Sequence, residues 1–487
     1  MTAAPSVGNT DLLAARVRRS LGWSAINNLV TRSGTLFIGI VLARVLVPAD
    51  YGLFAVALVM LQLLLSLNDI GLSAAIIRWP GEVQDLIGTA WVLIVASSVL
   101  VFTAAWFGAP SFAAALGAPR ASNIVRAMSL ALLVDGAVGI HTALLTRSFQ
   151  QGRRAVADTV NLVIYAAVAV TFAEHGFGAW SMVWGRLAGN TASAVIIVWS
   201  CEQQVRPGWR TEHARALLGF GLPLAFSGIL VVVVANVDYV VVGKLLGPVP
   251  LGLYLLAFNL SSWPVNMFSF AVRRVALAGF AQLLSGSQQI AVAFSRALAL
   301  LLAAALPVCV LLSSLAKPVV LVVYGSKWSG AVQSLQLLAL LAVVRITVEL
   351  AYDLLVATGR SRLVLGLQLL WLIPLVPALV VGTRMFGIRG VALAQLVVAL
   401  TVVAPAFLVA LDRVGVGTRR IMREALRPAL GGALAAVVAL TTTAALPGLL
   451  GPLLVGALGG LFVHTVVVWP LVSGLRRPGP ALPSTVA

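Results

Sequence analysis

Apolar runs of about 18 to 25 residues, parted by short polar breaks, repeat along the whole chain, and a run of that length is what a helix needs to cross the bilayer core. They fall near residues 21–43, 51–77, 86–107, 123–146, 155–174 and 177–200. A polar break, CEQQVRPGWRTEHAR from Cys201 to Arg215, follows the sixth run. Six more lie near 216–241, 251–272, 291–324, 331–357, 363–385 and 388–411, and a last pair near 428–447 and 449–472. The pattern predicts an all-α membrane protein of about fourteen transmembrane helices. Its expected parts are a cytoplasmic N-terminal segment (1–20), an N-lobe of spans 1 to 6 (21–200), a cytoplasmic linker (201–215) and a C-lobe of spans 7 to 12 (216–411). A basic cytoplasmic loop (412–427), spans 13 and 14 (428–472) and a cytoplasmic tail (473–487) complete them. The Pro-rich end from Arg476 to Ala487 is expected to be disordered.

Composition agrees: 60% of residues are hydrophobic and 10% charged, against about 45 to 50% and about 25% in soluble domains. A water-soluble globule is excluded. The net charge of +18 would point to nucleic acid in a soluble chain, but here it is a matter of topology. Twenty-two of the 33 Lys and Arg residues fall in the N-terminus, the even-numbered loops and the tail, eight fall on the opposite side, and Arg32, Arg186 and Arg345 lie inside spans. By the positive-inside rule both termini face the cytoplasm. No basic cluster is interleaved with stackable aromatics, so no nucleic-acid partner is expected. Two cysteines make no disulfide framework, and His141, His175, His213 and His464 have no ligand spacing, so neither a metal nor a cofactor is expected. The first apolar run is full length and lacks a small-residue cleavage site, which reads as an uncleaved span that keeps the protein in the inner membrane.

The two groups of six repeat each other. VLARVLVPADYGLF (Val41 to Phe54) matches VVGKLLGPVPLGLY (Val241 to Tyr254) at an offset of 200 without a gap, with Pro48/Pro248, Gly52/Gly252 and Leu53/Leu253 coinciding. The second span of each pair opens at Asp50, expected as a helix N-cap, or at Pro250, suited to a first helical turn. An offset of 210 lays span 4 on span 10, aligns Leu144/Leu145 with Leu354/Leu355 and puts Asp135 opposite Arg345. Repeated bundles are the usual build of secondary transporters, with substrate held between the halves.

LARVLVPADYGLFAVA, LNDIGLSAAIIR (Leu67 to Arg78), LLTRSFQQGRR (Leu144 to Arg154), GFGAWSMVWGRLAG (Gly176 to Gly189), FGLPLAFSGI and VANVDYVVVGKLLG stand in that order along the chain. In this the chain resembles the polysaccharide transporter (Wzx-type) family of the multidrug/oligosaccharidyl-lipid/polysaccharide (MOP) flippase superfamily, from about Gly22 to about Asp412. The resemblance implies two six-helix lobes in pseudo-twofold repeat plus two C-terminal helices. It also implies a bacterial flippase that moves polyprenyl-diphosphate-linked saccharides from the inner to the outer leaflet for surface polysaccharide assembly. Its partners would be the lipid-linked saccharide, membrane lipids, a polysaccharide polymerase and glycosyltransferases. Val249 and Pro250 depart from the acidic pair often seen in the second hairpin, and AVRRVALAGFAQL after span 8 is unusually basic.

An ionised side chain at mid-bilayer costs about 2.5 to 3.5 kcal/mol on insertion scales, so one that persists faces a wet cavity or a partner. Arg32, Arg345 and Arg186 are therefore the candidate diphosphate ligands, because planar, permanently charged guanidinium groups suit a diphosphate. The alternative is that each pairs with a buried acid and only fixes packing. Arg345, Glu349 and Asp353 follow i, i+4, i+8 spacing and share one helix face; they line a cavity that binds diphosphate or a coupling cation, or form an internal ion pair. Asp69, Asp135 and Asp238 join Glu349 and Asp353 as candidates for gating or coupling, with satisfied helix-end roles as the alternative for Asp69 and Asp238. Asn27, Asn28, Asn236, Asn259 and Asn266 add groups that meet sugar hydroxyls or neighbouring helices, and Gly456/Gly460 form a GxxxG that fits a dimer face or a chance match. No Walker-type phosphate loop is present, and loops of a few to about 16 residues leave no room for an enzyme domain, so no catalytic residue is expected. A competing class, the ion-coupled multidrug exporter of the same fold (MATE-type), would want an acid-dominated cavity and little use for Arg32 or Arg345.

Overall fold

The computed structural model describes residues 7–69, 71–79, 83–282 and 287–475; the expected disordered end at 476–487 lies outside them. Among the described residues the chain is helical and forms no strand. In order the helices are α1 (Val7–Val45), α2 (Pro48–Asn68), α3 (Leu72–Arg78), α4 (Gln84–Ala115), α5 (Ser122–Arg147), α6 (Gln151–Glu174), α7 (Ala179–Ser200) and α8 (Thr211–Leu246). There follow α9 (Pro248–Gln282), α10 (Ser287–Ser314), α11 (Ala316–Val319), α12 (Val332–Ala357), α13 (Ser361–Val398), α14 (Ala404–Asp412), α15 (Thr418–Ala445) and α16 (Leu450–Leu475). Ten stretches among the described residues are long and apolar enough to cross a membrane, which makes this a multi-pass membrane protein. One of them, 362–412, holds two expected spans. Gly382 and Gly390 would lie about 12 Å apart along a straight helix, yet a Cβ on either would stand within 2.4 Å of the other's carbonyl oxygen. The chain folds back at Phe386 (φ −134°, ψ 15°) and Gly387 (φ 59°, ψ −141°), where only the glycine takes the left-handed side without strain.

The helices fall into two compact units, residues 1–255 and 256–487. In the first, the hairpin tips of the offset-200 match meet. A Cβ on Gly52 would lie 1.7 Å from the carbonyl oxygen of Pro248, and one on Gly252 would lie 1.9 Å from that of Pro48. The two helix starts therefore touch main chain to main chain, reciprocally. Asp50 is the third residue of α2 rather than its N-cap, because Pro48, with its φ preset for the first turn, already begins the helix. From there one carboxylate oxygen accepts the Val47 N–H (3.2 Å) and the other accepts the Ala179 N–H (3.2 Å) at the start of α7.

The offset of 210 is visible in the backbone of each unit. After α5, Ser148 (φ −82°, ψ 7°), Phe149 (φ 57°) and Gln150 (φ −85°, ψ 47°) turn the chain; after α12, Thr358 (φ −85°, ψ 9°), Gly359 (φ 74°) and Arg360 (φ −89°, ψ 44°) do the same. The N–H groups of 148, 149 and 150 bond to the carbonyls of 144, 146 and 145, and those of 358, 359 and 360 to the carbonyls of 354, 356 and 355. One turn has been built twice.

The expected second span is broken at Asp69. A break at membrane depth frees backbone groups that must find other partners. The Asp69 carboxylate accepts the Ser73 N–H (3.2 Å) and its hydroxyl at the start of α3. At the other end, Arg147 Nη1 donates to the carbonyls of Ile76 (2.7 Å), Ile77 (3.3 Å) and Trp79 (3.0 Å), a cation on a helix C-terminus. The expected ninth span likewise divides, into α10 and α11 at Leu315. Gly456 and Gly460 face inward: a Cβ on them would meet Thr442 and Leu315, or Leu311 and Ala435, so this GxxxG packs α16 onto α10 and α15 instead of a second copy.

Candidate functional site

Within the first unit, α1 packs on α6, and α6 on α7. α6 and α7 approach closely at Gly185 and Gly189 of α7, where a Cβ would stand 2.7 Å from Ala169 Cβ and 2.7 Å from the Asn161 carbonyl oxygen. Polar side chains lie along both the α1–α6 contact and this small-residue seam between α6 and α7. On α1, Arg32 Nε donates to Asn28 Oδ1 one turn back (2.7 Å). Asn27 Nδ2 donates across to Asp158 Oδ2 of α6 (2.7 Å), while its own Oδ1 is buried with no partner. At the seam itself, Asn161 Nδ2 donates to Asn190 Oδ1 (3.1 Å). Arg186 sits one turn before Asn190 on α7. No ion pair closes: among the described residues neither Arg32 nor Arg186 has a carboxylate within 4.0 Å.

In the second unit, Arg345 lies thirteen residues after the start and twelve before the end of α12. Its Nη1 donates to Ser262 Oγ of α9 (3.2 Å), and its guanidinium lies 5.1 Å from the centre of the Phe258 ring, a cation–π contact one turn away on the same helix. Glu349, one turn further along α12, is half-buried and makes no ion pair with Arg345. Asp353 is buried and has a partner of its own. The three share one helix, but Arg345 closes no ion pair with the two acids among the described residues, and its guanidinium is held by a hydroxyl and a ring.

Asp238, one of the expected gating acids, is 2% exposed and fully engaged. One oxygen accepts the Tyr239 N–H (2.9 Å) and the other the Tyr254 hydroxyl (2.8 Å), with the two tyrosine rings edge-on at 5.7 Å. It fastens α8 to the first turns of α9. Asp69 is a helix cap, as described above. Asp135 is central in α5, thirteen residues from its start and twelve from its end, the same place that Arg345 holds in α12.

Sequence reasoning missed Asp158, which accepts from Asn27, the Asn161/Asn190 pair that bonds between α6 and α7, and Tyr165, which packs against Gly185. The signal was present: VADTVNLVIY places Asp158 and Asn161 at i, i+3 inside an apolar run, and GRLAGN sets Arg186 and Asn190 at i, i+4 beside two glycines. It also missed Ser262 and Phe258, which carry no charge to mark them.

The sequence profile of the polysaccharide biosynthesis protein family matches residues 41–333, more than half of the chain. The chain belongs to that family. Among its relatives is the succinoglycan biosynthesis transport protein ExoT of Rhizobium meliloti (strain 1021), 28% identical over 332 residues, which are 67% of this chain and 66% of that protein. Another is the lipopolysaccharide biosynthesis protein WzxC of Escherichia coli (strain K12), 25% identical over 379 residues, 77% of each chain. Among solved structures, the lipid II flippase MurJ in its inward closed conformation superposes with a TM-score of 0.78 at 15% identity, over 94% of this chain and 100% of that one. A multidrug resistance MATE transporter of the MOP superfamily, inward-facing, superposes at 0.57 and 16% identity, over 80% and 98%. The family and the MOP fold that the sequence motifs indicate are thus both found. The family's fold places Arg32, Arg186 and Arg345 on membrane-length helices, and nothing in the likeness to other proteins assigns them a role.

Proposed function

We propose that the protein is a flippase that carries a polyprenyl-diphosphate-linked oligosaccharide across the cytoplasmic membrane by alternating access, for assembly of a surface polysaccharide. It is a transporter and not an enzyme. The observation that carries the reading is that Arg32, Arg186 and Arg345 lie within long apolar helices and, among the described residues, have no carboxylate at ion-pair distance. A cation kept in a membrane helix without a counter-ion costs several kcal/mol, and a diphosphate supplies the missing charge to planar guanidinium groups at its most favourable geometry. Asn161 and Asn190 add amides suited to sugar hydroxyls, and Asp135, Asp158 and Glu349 supply carboxylates for an ion-coupled or gating step. The names of the relatives point the same way: succinoglycan transport for ExoT, lipopolysaccharide biosynthesis for WzxC and lipid II flipping for MurJ.

The moving parts in this reading are the two repeats, residues 21–200 and 216–411, joined by the 201–215 linker, with 428–472 as an accessory pair. Both termini lie in the cytoplasm of a bacterial cell, and the basic loops meet the anionic inner leaflet. A polymerase and glycosyltransferases consume and supply the lipid-linked saccharide on the two sides. The test is flux in proteoliposomes holding purified full-length protein, with a polyprenyl-diphosphate saccharide or a cationic dye as cargo. The wild type should move the saccharide lipid, and Arg32→Ala and Arg345→Ala should lose that flux while inserting and unfolding like the wild type. Dye export with no saccharide flux would replace this reading by a MATE-type exporter, and wild-type saccharide flux in both variants would remove the arginines from the mechanism.

A further inference from the structure

A second concentration of positive charge lies away from the interior arginines. The chain leaves α14, turns through Gly415 (φ 90°) and enters α15 at Thr418. Arg419, Arg420, Arg423 and Glu424 of α15 line, with Gly415 and Gly417, a cavity of about 780 Å³ whose remaining wall is Ala291 of α10. Three arginines in the first two turns of a 28-residue helix are placed against their own electrostatics, because that end of a helix carries positive partial charge and favours acids. The first turn holds no acid. Among the described residues none of the three has a carboxylate within ion-pair distance, Glu424 included. The Thr418 and Arg419 N–H groups find no acceptor there either, since the intrahelical bonds begin with Arg420 N–H to Gly417 carbonyl (2.9 Å). Three arginines thus line one concave space with a single acid, Glu424, that is not at ion-pair distance from any of them, a surplus of positive charge that an anion from outside would balance.

What lies below the cavity identifies the source of that anion. Arg419 and Arg423 are one turn apart, and Leu426, Leu430 and Leu434 follow Arg423 at i+3, i+7 and i+11, on the same face. All three leucines are exposed within this chain. From Arg423 to Leu434 the strip runs about 16 Å down the helix, comparable with the acyl region of one leaflet. A phosphate bound by the arginines would have its acyl chain lying along those leucines.

We propose that this cavity binds the phosphate headgroup of an anionic membrane phospholipid, with one acyl chain on the Leu426/Leu430/Leu434 strip. The site is separate from the interior arginines, and its test involves no transport, so either reading can fail without the other. The full-length protein is purified in neutral detergent and titrated with phosphatidylglycerol bearing a fluorescent acyl chain. Phosphatidylcholine with the same label and soluble glycerol phosphate serve as the comparison arms. Wild type should bind phosphatidylglycerol at least about tenfold more tightly than phosphatidylcholine, with affinity falling as salt rises. Arg419→Gln/Arg423→Gln should weaken it by about 10- to 30-fold, given roughly one kcal/mol per surface cation, while Arg419→Lys/Arg423→Lys should keep most of it and Glu424→Gln should tighten it. Equal affinity in the Gln pair and the wild type would overturn the proposal. So would displacement of the labelled lipid by glycerol phosphate as readily as by unlabelled lipid, which would mark a soluble-anion site. Should the Gln pair not fold, the proposal still fails if Glu424→Gln and added salt leave wild-type affinity unmoved.

Discussion

Asp135 and Arg345 hold the same place in two copies of one helix: each is thirteen residues from its helix's start and twelve from its end, and each helix closes in the same three-residue turn. Equivalent positions of the two repeats therefore carry an acid in one and a base in the other. Arg345→Ala should lower flux of a diphosphate-linked lipid by more than about tenfold, or about 1.4 kcal/mol. Arg345→Lys, which keeps the charge and loses the planar fork, should fall between. Asp135→Asn should stay within about threefold of wild type. Initial rates in proteoliposomes decide it; equal loss in Asp135→Asn and Arg345→Ala would mean that the two act as one unit.

Asn27 and Asp158 make a direct side-chain hydrogen bond between α1 and α6. Removing the acceptor in Asp158→Ala leaves the Asn27 amide without partners on both its nitrogen and its oxygen, at a cost of about 1 to 3 kcal/mol. Asp158→Asn still accepts and should unfold near the wild-type temperature. A flux defect in Asp158→Asn with unchanged thermal stability would assign the charge itself to transport.

Gly52 has no room for a side chain. A methyl there would stand 1.7 Å from the Pro248 carbonyl oxygen, and main chain cannot swing aside as a flexible side chain can. Gly52→Ala should cost at least about 1 to 3 kcal/mol, the range for an overpacked contact, and Gly252→Ala a similar amount. Thermal unfolding followed by size-exclusion chromatography reads the effect, and an unshifted midpoint in both variants would show that this contact is not kept.

Phe149 adopts a left-handed backbone (φ 57°) where its counterpart in the second repeat is Gly359 (φ 74°). Gly359→Ala should therefore destabilise by about 1 to 2 kcal/mol. Phe149→Gly, at a half-exposed site that relieves the same strain, should destabilise little or not at all. Opposite ranking of the two midpoints would contradict the equivalence of the turns.

Cys201 offers a reporter for the linker. Burial raises its thiol pKa, and the thiol donates to the Gln203 carbonyl (3.6 Å). Less thiolate exists at neutral pH than for a free cysteine, so alkylation by iodoacetamide should be slow at pH 7 and quicken as pH rises past the ordinary thiol range. Cys309 is buried and should stay unlabelled until the protein unfolds. Rapid labelling of Cys201 at pH 7 would show that the linker is open.

Much of this architecture is legible in the chain because a lipid-facing helix cannot hide its length or its apolarity. The long runs, the 200 and 210 offsets and the three interior arginines all follow from that one constraint. Legibility ends where a structure is decided by local hydrogen bonds. The break at Asp69 sits inside a run that reads as continuous, since LNDIGLS is short and its neighbours are apolar; only the side chains of Asp69 and Arg147 show how the freed backbone groups are satisfied. Asp238 looks like a free acid in VANVDYVVVGK but is occupied by Tyr254, sixteen residues on. Asp158 escaped notice because its partner Asn27 is 131 residues away.

The reciprocal seating of Gly52 on Pro248 and Gly252 on Pro48 has a mechanical meaning. A joint made of bare backbone has no adjustable parts: it is either fully seated or apart, with no partly mated arrangement of comparable energy. It would give any opening movement at these hairpin tips a hard detent, so that departure is abrupt and return always reaches the same resting register.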